Sequence, residues 1–312
     1  MRALVTGGAG FIGSNLVEEL VSRGHEVKVL DNFSTGRREN AIDWNGDVEL
    51  IEGDLRSYER VSNAVRGCEI VFHEGALPSV PRSVQDPITT SEVNVSGTLN
   101  VLLAARDAGV RRVVFASSSS IYGDLPGLPR VESMPVSPAA PYAVSKLAAE
   151  QYCSVATKVY GLETVSLRYF NVFGRRQDPQ SHYAAVVPRF ITAMLEGRPP
   201  TVYGDGEQSR DFTHISNVVE ANMLAAEVEA AAGHVFNVGA GQPHSLNELV
   251  ATLNRLLGSD IEPIYTDRRP GDVRQSWADI SLASAVMGYT PAVDFEAGLG
   301  LAIESYAPAS AR

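Results

Sequence analysis

The segment TGGAGFIG, residues 6–13, constrains the fold of this chain more than any other. It follows an apolar, β-branched run at residues 3–7 and precedes a helical pattern at residues 12–23. Glycines spaced Gly-x-x-Gly-x-x-Gly between a strand and a helix allow a tight turn, a close approach to the backbone, and close packing of the helix on the strand. The segment therefore predicts the first strand–turn–helix unit of an α/β sheet.

The first 170 residues continue this alternation of strands and helices. Apolar and β-branched runs predict strands at residues 3–7, 26–31, 48–54, 69–74, 111–117 and 164–169. Helical patterns lie between most of them, at residues 12–23, 58–65, 93–108 and 142–160. Such alternation predicts crossover connections and a parallel sheet covered by helices on both faces. We therefore expect a Rossmann-like, doubly wound parallel sheet of the α/β class.

After Asn171 the pattern loosens and favours a smaller C-terminal α/β lobe. Helical patterns at residues 184–195, 246–257 and 295–306 have only brief extended pieces between them. Residues 215–228 and 234–239 predict a helix and a strand that return to the main sheet. The expected division is a first domain of residues 1–170 with 213–239, and a second lobe of residues 171–212 and 240–312.

Composition and charge exclude several classes of protein. No apolar run approaches the roughly 18 residues that cross a membrane, and a strand pattern that starts at residue 2 leaves no room for a signal peptide. The net charge of −11 disfavours a nucleic-acid partner. The two cysteines, Cys68 and Cys153, fit a reducing compartment and lack the spacing of metal ligands. We expect a cytoplasmic protein without a metal.

The glycine segment and the acid Asp31 together predict a dinucleotide site. The N-terminus of the first helix would face the pyrophosphate. Asp31 ends the second predicted strand, where a carboxylate accepts hydrogen bonds from the adenosine ribose and repels a 2′-phosphate, which favours NAD over NADP. Arg37 and Arg38 could instead accommodate that phosphate. Asp54, after the third strand, could contact adenine or cap the following helix.

Tyr142 and Lys146 form a candidate catalytic pair. They lie four residues apart at the start of a predicted helix, after Pro141, and therefore share one face. The pKa of a free tyrosine is about 10, too high for a base at neutral pH, but a nearby ammonium and a cationic nicotinamide would lower it. The pair alone could equally be an exposed feature of a helix; the glycine loop and the serine-bearing strand end favour catalysis.

Five features together resemble the extended short-chain dehydrogenase/reductase family. They are TGGAGFIG, Asp31, SSSSIYG at residues 117–123, YAVSK at 142–146 and RYFNVFG at 168–174. Within that family the chain is most similar, over residues 1 to 306, to the nucleotide-sugar 4-epimerases that act on UDP-glucose and UDP-N-acetylglucosamine. The resemblance implies that Tyr142 is the acid/base, that Lys146 is its partner, and that the Ser118 hydroxyl is hydrogen-bonded to the sugar O4.

The same resemblance implies the reaction and the cofactor contacts. Tyr142 removes the O4 proton while hydride passes from C4 to tightly held NAD; the 4-keto sugar turns over, and hydride returns to its opposite face. One departure is HEGAL, residues 73–77, where Gly75 replaces a more usual alanine and should loosen the backbone. The implied cofactor residues are Gly7, Gly10, Phe11, Ile12, Gly13, Asp31, Asn32, Asp54, Leu55, Ala76, Asn94, Tyr142 and Lys146.

Two serines argue against other chemistries of the family. Dehydratases of the family carry an Asp-Glu pair at the positions of Ser119 and Ser120, where elimination needs a general acid and base, and decarboxylases carry a Glu at the position of Ser120. Serine cannot supply a carboxylate, which favours simple epimerisation. Arg210 matches an arginine that holds the diphosphate, although it could instead pair with Asp211. The implied substrate residues are Ser79, Val80, Ser118, Ser119, Tyr142, Asn171, Ala185, Val186, Tyr203, Arg210, Arg269, Asp272 and Ser276.

Ser276 matches the position that limits room beside the sugar C2. A small residue there admits an N-acetyl group, so we expect UDP-GlcNAc and UDP-GalNAc to be accepted beside UDP-Glc and UDP-Gal. UDP-glucuronate is a competing substrate, because Arg175, Arg176 or His182 could pair with its carboxylate. Two more candidate functions are a nucleotide-sugar dehydratase and, in a different class, a non-catalytic dinucleotide sensor. The resemblance also implies a homodimer that pairs the helices at residues 93–108 and 142–160 into a four-helix interface.

Overall fold

A computed structural model describes residues 1–41, 44, 48–179, 185–268 and 273–307. Its strands are β1 (Arg2–Thr6), β2 (Glu26–Asp31), β3 (Val48–Glu52), β4 (Ile70–His73), β5 (Arg112–Ser118), β6 (Glu163–Tyr169), β7 (Val172–Phe173), β8 (Thr201–Tyr203), β9 (Ser209–Arg210), β10 (Thr213–His214), β11 (Val235–Val238), β12 (His244–Ser245), β13 (Ile264–Thr266) and β14 (Gln275–Ser276). Its α-helices are α1 (Phe11–Ser22), α2 (Tyr58–Val65), α3 (Val80–Gln85), α4 (Pro87–Ser91), α5 (Gly97–Asp107), α6 (Pro141–Tyr160), α7 (Val186–Leu195), α8 (Ile215–Glu227), α9 (Leu246–Leu257), α10 (Ser281–Met287) and α11 (Phe295–Tyr306). Short 3₁₀ turns and one π-helical segment, Glu92–Ser96, complete the described elements.

Seven of the described strands form one parallel sheet in the order β3-β2-β1-β4-β5-β6-β11. The predicted α/β class and doubly wound parallel sheet are therefore confirmed. Strands β4 and β5 are almost wholly buried, as their continuous apolar sequences require in a sheet covered on both faces. The strand order reverses between β1 and β4, and such a switch point opens a crevice at the carboxyl ends of the strands.

Two apolar clusters cover the two faces of this sheet. On one face, Leu16 and Leu20 of α1 pack with Val218 and Met223 of α8. On the other, α2, α5 and α6 contribute a second cluster that includes Val101 of α5. Helices therefore flank the switch point on both sides and fix the strand ends that meet there.

The chain departs from the predicted single helix of residues 93–108. Helical structure begins earlier, with α3 and α4, and continues through the π-helical segment into α5. Pro81 and Pro87 lie in the first turns of α3 and α4, where proline is tolerated. Asp86 ends one helix and caps the next by accepting the Thr89 N–H at 3.0 Å. Two prolines and a cap thus divide a stretch that the 3.6-residue pattern alone does not divide.

The remaining elements form a second apolar core outside the main sheet. Helices α7, α9 and α11 pack around Phe212, Leu249 and Leu299. Small sheets, β12-β9-β14 and β8-β13, lie at its border. Strand β11 pairs with β6 in the main sheet. None of the helices in the described ranges is long and apolar enough to cross a membrane.

Candidate active site

The glycines of the loop between β1 and α1 are packed too closely to carry a side chain. Gly7 has a φ of +68°, and a Cβ there would lie 2.7 Å from the Cα of Gly75. The Gly10 N–H donates to the Gly7 carbonyl at 3.0 Å, and a Cβ at Gly13 would overlap that same carbonyl oxygen. Gly10, the N-cap of α1, offers no side-chain cap to the first N–H groups of the helix. These groups suit an anion held against the loop.

Asp31, at the end of β2, holds the glycine loop through a hydrogen bond to its backbone. Its carboxylate is buried and accepts the Ala9 N–H at 3.0 Å and the Phe33 N–H at 2.8 Å. Burial raises the pKa of Asp31 above its ordinary value, against these hydrogen bonds. Arg37 pairs with Asp178 at 2.7 Å, and Arg38 pairs with Glu52 at 2.7 Å. Both candidate arginines for a 2′-phosphate are thus bound to carboxylates, which supports the expectation of NAD.

Asp54 does not cap the following helix, so that interpretation is wrong. The cap of α2 is Ser57, whose hydroxyl accepts the Arg60 N–H. The Asp54 carboxylate instead accepts from Asn32 Nδ2 at 3.0 Å and from two nitrogens of the Arg56 guanidinium at 3.0 and 2.8 Å. Chiefly through Arg56, these bonds lower the pKa of Asp54 to about 2. Asp54 remains ionised and faces the same cleft as Asp31.

A cleft of about 950 Å³, counting the space open to solvent, runs from Asp31 to Lys146. The predicted cofactor residues that line it are Gly7, Gly10, Phe11, Ile12, Gly13, Asp31, Asn32, Asp54, Leu55, Ala76, Tyr142 and Lys146. Asn94 is not among its lining residues. The Asn94 side chain lies behind the wall, where it accepts the Leu77 N–H at 2.8 Å and donates to Ser145 Oγ at 3.0 Å. It holds the cleft wall to α6.

A buried histidine, which the sequence did not indicate, joins the glycine loop to Asn94. The Gly75 N–H donates to the Thr6 hydroxyl, whose oxygen lies 2.7 Å from His73 Nδ1. His73 Nε2 lies 2.9 Å from the Thr98 hydroxyl, which donates to the Asn94 carbonyl at 2.6 Å. Because the Thr98 proton is used there, Nε2 must carry the ring proton and Nδ1 must accept from Thr6. Burial lowers the pKa of His73 to about 3 and keeps this neutral tautomer.

Tyr142 and Lys146 lie on one face of α6 at the far end of the cleft. Helix α6 starts at Pro141, and the Tyr142 N–H donates to Ser83 Oγ of α3 at 3.0 Å. Lys146 Nζ donates to the Ala116 carbonyl of β5 at 2.7 Å. The Tyr142 hydroxyl is hydrogen-bonded to the side chain of Ser118, which ends β5. The three predicted catalytic residues therefore meet at the carboxyl end of β5.

The electrostatics of the pair differ from the sequence-based expectation. Burial raises the pKa of Tyr142 to about 12, against the hydrogen bond from Ser118. The Lys146 ammonium is not among the groups that shift it, so the expected lowering by Lys146 is wrong for this arrangement. Burial also lowers the pKa of Lys146 to about 8, against the charge of Glu74. Burial is thus the dominant influence on both groups.

Two further residues of this end of the cleft were missed. Glu74 follows β4, and Tyr169 ends β6; both line the cleft beside Tyr142 and Lys146. The Tyr169 hydroxyl donates to Glu74 Oε1 at 2.9 Å. Burial raises the pKa of Glu74 to about 7. The only sequence signal is an acid directly after the buried run IVFH, at the carboxyl end of a central strand.

The predicted substrate residues fall into three places. Ser118 and Ser119 lie at the end of β5, beside Tyr142. Ser79 caps α3, accepting the Arg82 N–H at 3.1 Å, and Val80 begins that helix. The others belong to the elements of the second core. Asn171 follows β6 with a φ of +21°, and Ala185 and Val186 lie at the start of α7. Tyr203 ends β8, and Arg210 of β9 lies opposite Ser276 of β14. Arg269, Asp272 and His182 lie outside the described residues.

The described contacts also bear on the candidate roles of three arginines. Arg210 does not pair with Asp211, whose carboxylate accepts the N–H groups of Ala240 at 2.7 Å and Gly241 at 3.0 Å. Arg175 and Arg176 both pair with Glu18 of α1 at 2.7 Å. These two arginines are therefore engaged beside the first helix rather than held ready for a uronate carboxylate.

Comparisons with known proteins agree with this fold and with a cofactor cleft. Residues 3–239 match the model of the NAD dependent epimerase/dehydratase family. The chain is 40% identical over 310 residues to a UDP-glucose 4-epimerase of Mycolicibacterium smegmatis, covering 98% of each. It is similar in structure to a UDP-N-acetylglucosamine 4-epimerase of Methanobrevibacter ruminantium M1 in complex with UDP-N-acetylmuramic acid, with a TM-score of 0.94, 40% identity, and 98% and 97% of the two chains covered.

A UDP-glucose 4-epimerase of Thermus thermophilus in complex with NAD gives a TM-score of 0.89 at 42% identity, with 98% of this chain and 99% of that chain covered. Other matched proteins are named UDP-glucuronic acid 4-epimerase or UDP-glucuronic acid decarboxylase. The glycine cradle, the buried acid and the tyrosine–lysine pair fit NAD along the cleft. The chain is an enzyme of the extended short-chain dehydrogenase/reductase type and belongs to the NAD dependent epimerase/dehydratase family.

Proposed function

We propose that this enzyme interconverts the C4 epimers of a UDP-hexose: UDP-Glc with UDP-Gal, and UDP-GlcNAc with UDP-GalNAc. The observation that carries the proposal is the meeting of Ser118, Tyr142 and Lys146 at one end of the NAD cleft. Ser119 and Ser120 follow directly in a 3₁₀ turn. That turn presents hydroxyls and no carboxylate, so it lacks the acid and base that elimination or decarboxylation needs.

Each catalytic residue has a task that its contacts support. As a phenolate, Tyr142 accepts the proton from the sugar O4 and becomes the phenol, which later returns that proton; the Ser118 hydrogen bond keeps its oxygen oriented toward O4. Lys146 donates to the Ala116 carbonyl, and this bond holds the start of α6, and with it Tyr142, against the end of β5. NAD, when bound, accepts and returns the hydride and supplies a positive charge beside the phenol.

The second core would hold the UDP group. Arg210 and Ser276 lie opposite each other in β9 and β14. A guanidinium suits phosphate oxygens, and a serine leaves room beside the sugar C2 for an N-acetyl group. We assign residues 1–170 with 213–239 to the cofactor and the other residues to the UDP-sugar. The Glu18 pairs of Arg175 and Arg176 make a UDP-glucuronate 4-epimerase the weaker candidate.

A homodimer completes the proposal. Helix α6 presents an outward stripe of apolar residues, which are Val144, Tyr152, Val155 and Val159. Their spacing places them on one helix face. Val84 of α3 and Ile88 of α4 are also exposed, and both helices pack against α6. A second copy of this chain, paired through α5 and α6, would cover this surface.

The test is product analysis by NMR, with UDP-Glc, UDP-GlcNAc and UDP-GlcA offered separately and no NAD added. We expect C4 epimers of the first two. Tyr142→Phe should abolish turnover and leave NAD bound, whereas Tyr160→Phe, at the exposed end of the same helix, should remain active. Conversion of none of the three sugars, or full activity of Tyr142→Phe, would contradict the proposal.

A further inference from the structure

Glu74 is a titratable group in the cleft to which the epimerase mechanism gives no task. It follows β4, next to the switch point of the sheet, and lines the cleft with Tyr142, Lys146 and Tyr169. Asp31 and Asp54, the other acids of the cleft, lie by the glycine loop and the end of β3. Glu74 therefore lies at the end of the cleft that holds Tyr142 and Lys146, and not at the end that holds Asp31 and Asp54.

Its two carboxylate oxygens have different surroundings. Oε1 accepts the Tyr169 hydroxyl at 2.9 Å, and that hydroxyl also accepts from Asn222 Nδ2 at 2.8 Å. Oε2 has no solvent exposure and no hydrogen-bond partner among the described residues. A carboxylate oxygen left in this state costs free energy unless a positive group compensates it.

The protein itself supplies little compensation. Among the described residues, no lysine, arginine or histidine forms an ion pair with Glu74, and Lys146 Nζ is directed to the Ala116 carbonyl. Lys146 and Glu74 nevertheless affect each other, since the charge of Glu74 raises the pKa of Lys146 against the larger effect of burial. A glutamine would accept the same bond from Tyr169 without a buried charge, so the hydrogen bond alone does not account for an acid here.

We propose that Glu74 is the counter-charge of the nicotinamide, and that it makes the site bind the cationic, oxidised cofactor in preference to the neutral, reduced one. A negative charge at this end of the cleft stabilises a cation and does nothing for a neutral ring. The resting enzyme would then hold NAD⁺, the form that a sugar alcohol must meet first. Glu74 acts on the cofactor equilibrium and is a positioning residue rather than a proton carrier.

The inference rests on the proposed function, because that function places the nicotinamide beside Tyr142 and Lys146. Its test is the ratio of the dissociation constants for NAD⁺ and NADH, measured by calorimetry on cofactor-stripped protein. Glu74→Gln, which keeps an acceptor for Tyr169, should shift this ratio about tenfold toward NADH. The cofactor released from the purified variant should likewise contain a larger NADH fraction than that from wild type.

Two variants separate charge from hydrogen bonding. Tyr169→Phe keeps the carboxylate and should retain the wild-type preference, whereas Glu74→Met should shift the ratio in the same direction as Glu74→Gln. Glu52→Gln removes an exposed carboxylate at the end of β3 and should leave the ratio unchanged. Equal ratios in wild type and both Glu74 variants would overturn the inference and leave the epimerase proposal intact. A wild type that prefers NAD⁺ but epimerises no UDP-sugar would overturn only the proposed function.

Discussion

His73 has almost no access to solvent, and each of its ring nitrogens faces a threonine hydroxyl whose role is fixed by a further bond. Protonation would place a second N–H against the Thr6 hydroxyl, which already accepts from the Gly75 N–H. The glycine loop would then lose the contact that joins it to the helix carrying Asn94. Protonation of this one imidazole, which requires a pH near 3 in the folded protein, would therefore break a contact in the wall of the cofactor cleft.

The first prediction concerns acid stability. Because burial lowers the pKa of His73 to about 3 in the fold, the unfolded chain binds the extra proton first, near pH 6.5. The contribution of His73 to the free energy of unfolding should therefore fall as pH drops from about 6.5 toward about 3, by up to about 1.4 kcal/mol per pH unit. Urea unfolding at pH 7 and pH 5, compared between wild type and a variant without this imidazole, measures the contribution.

The variant His73→Gln isolates the effect of His73. Burial raises the pKa of Asp211 to about 6 and that of Glu74 to about 7, and both acids contribute the opposite trend over the same window, so wild type alone is not diagnostic. Between pH 7 and pH 5 the free energy of unfolding of His73→Gln should rise relative to that of wild type, because the unfolded variant has no imidazole at this position to protonate. His234→Gln, which alters an exposed ring, should follow wild type. The same change with pH in wild type and His73→Gln would refute the assignment.

Some residues of the cleft could be predicted from the sequence, and others could not. Asp31, Tyr142 and Lys146, which line the cleft, could be predicted because each has a fixed offset from a strand end or a helix start, which is local information. Glu74 and His73 were missed because their importance depends on Tyr169 and Thr98, which lie 95 and 25 residues away along the chain. No local pattern reports whether a polar side chain after a buried strand meets a partner from a distant segment.

At the scale of elements, the position of α1 against β1 depends on Gly13. A Cβ at Gly13 would overlap the Gly7 carbonyl and approach the Gly8 Cα at 2.8 Å, and both obstacles are backbone atoms that cannot rotate away. Gly13→Ala should displace the helix N-terminus, cost about 1–3 kcal/mol of stability and weaken NAD binding about tenfold or more. Calorimetric titration with NAD and thermal unfolding measure the two effects.

Gly300 is the matched control for Gly13, because it also lies in a helix, α11, and a Cβ there would meet nothing within 4 Å. Gly300→Ala should leave NAD binding unchanged and should stabilise the protein by up to about 1 kcal/mol, since alanine has the higher helix propensity. Wild-type NAD affinity in Gly13→Ala would show that the loop tolerates a shift of α1, contrary to the proposed anion site.

The helix bounds that could not be predicted from the sequence are those set by capping residues and tertiary packing. The main strands were predictable because parallel strands in a doubly wound sheet are continuous apolar runs. The division of residues 80–107 into α3, α4, the π-helical segment and α5 was not. The π turn directs Asn94 inward to Leu77 and Ser145, and such insertions occur where a site needs a side chain re-aimed. That need arises from tertiary contacts.

At the scale of the whole molecule, the cofactor was easier to derive than the sugar. The alternation of elements predicts a doubly wound parallel sheet, and such a sheet has a cleft at the switch point of its strand order. The residues proposed for the UDP-sugar instead lie on short strands such as β9 and β14, two residues each, whose pairing no sequence period predicts. The residues that bind the sugar could be proposed only through the family resemblance, and product analysis identifies the substrate.

The outward face of α6 gives the last prediction, which concerns assembly. Val159 is 66% exposed and Ile88 is 72% exposed, and an apolar surface of this kind in a monomer would face water at a cost. Val155→Glu would bury a charge in the proposed interface, so sedimentation should show wild type at twice the 33.5 kDa chain mass and the variant at the chain mass. Leu256→Glu, on the exposed face of α9, should remain dimeric. A monomeric wild type, or a Val155→Glu protein that stays dimeric, would mean that this face is not where two copies meet.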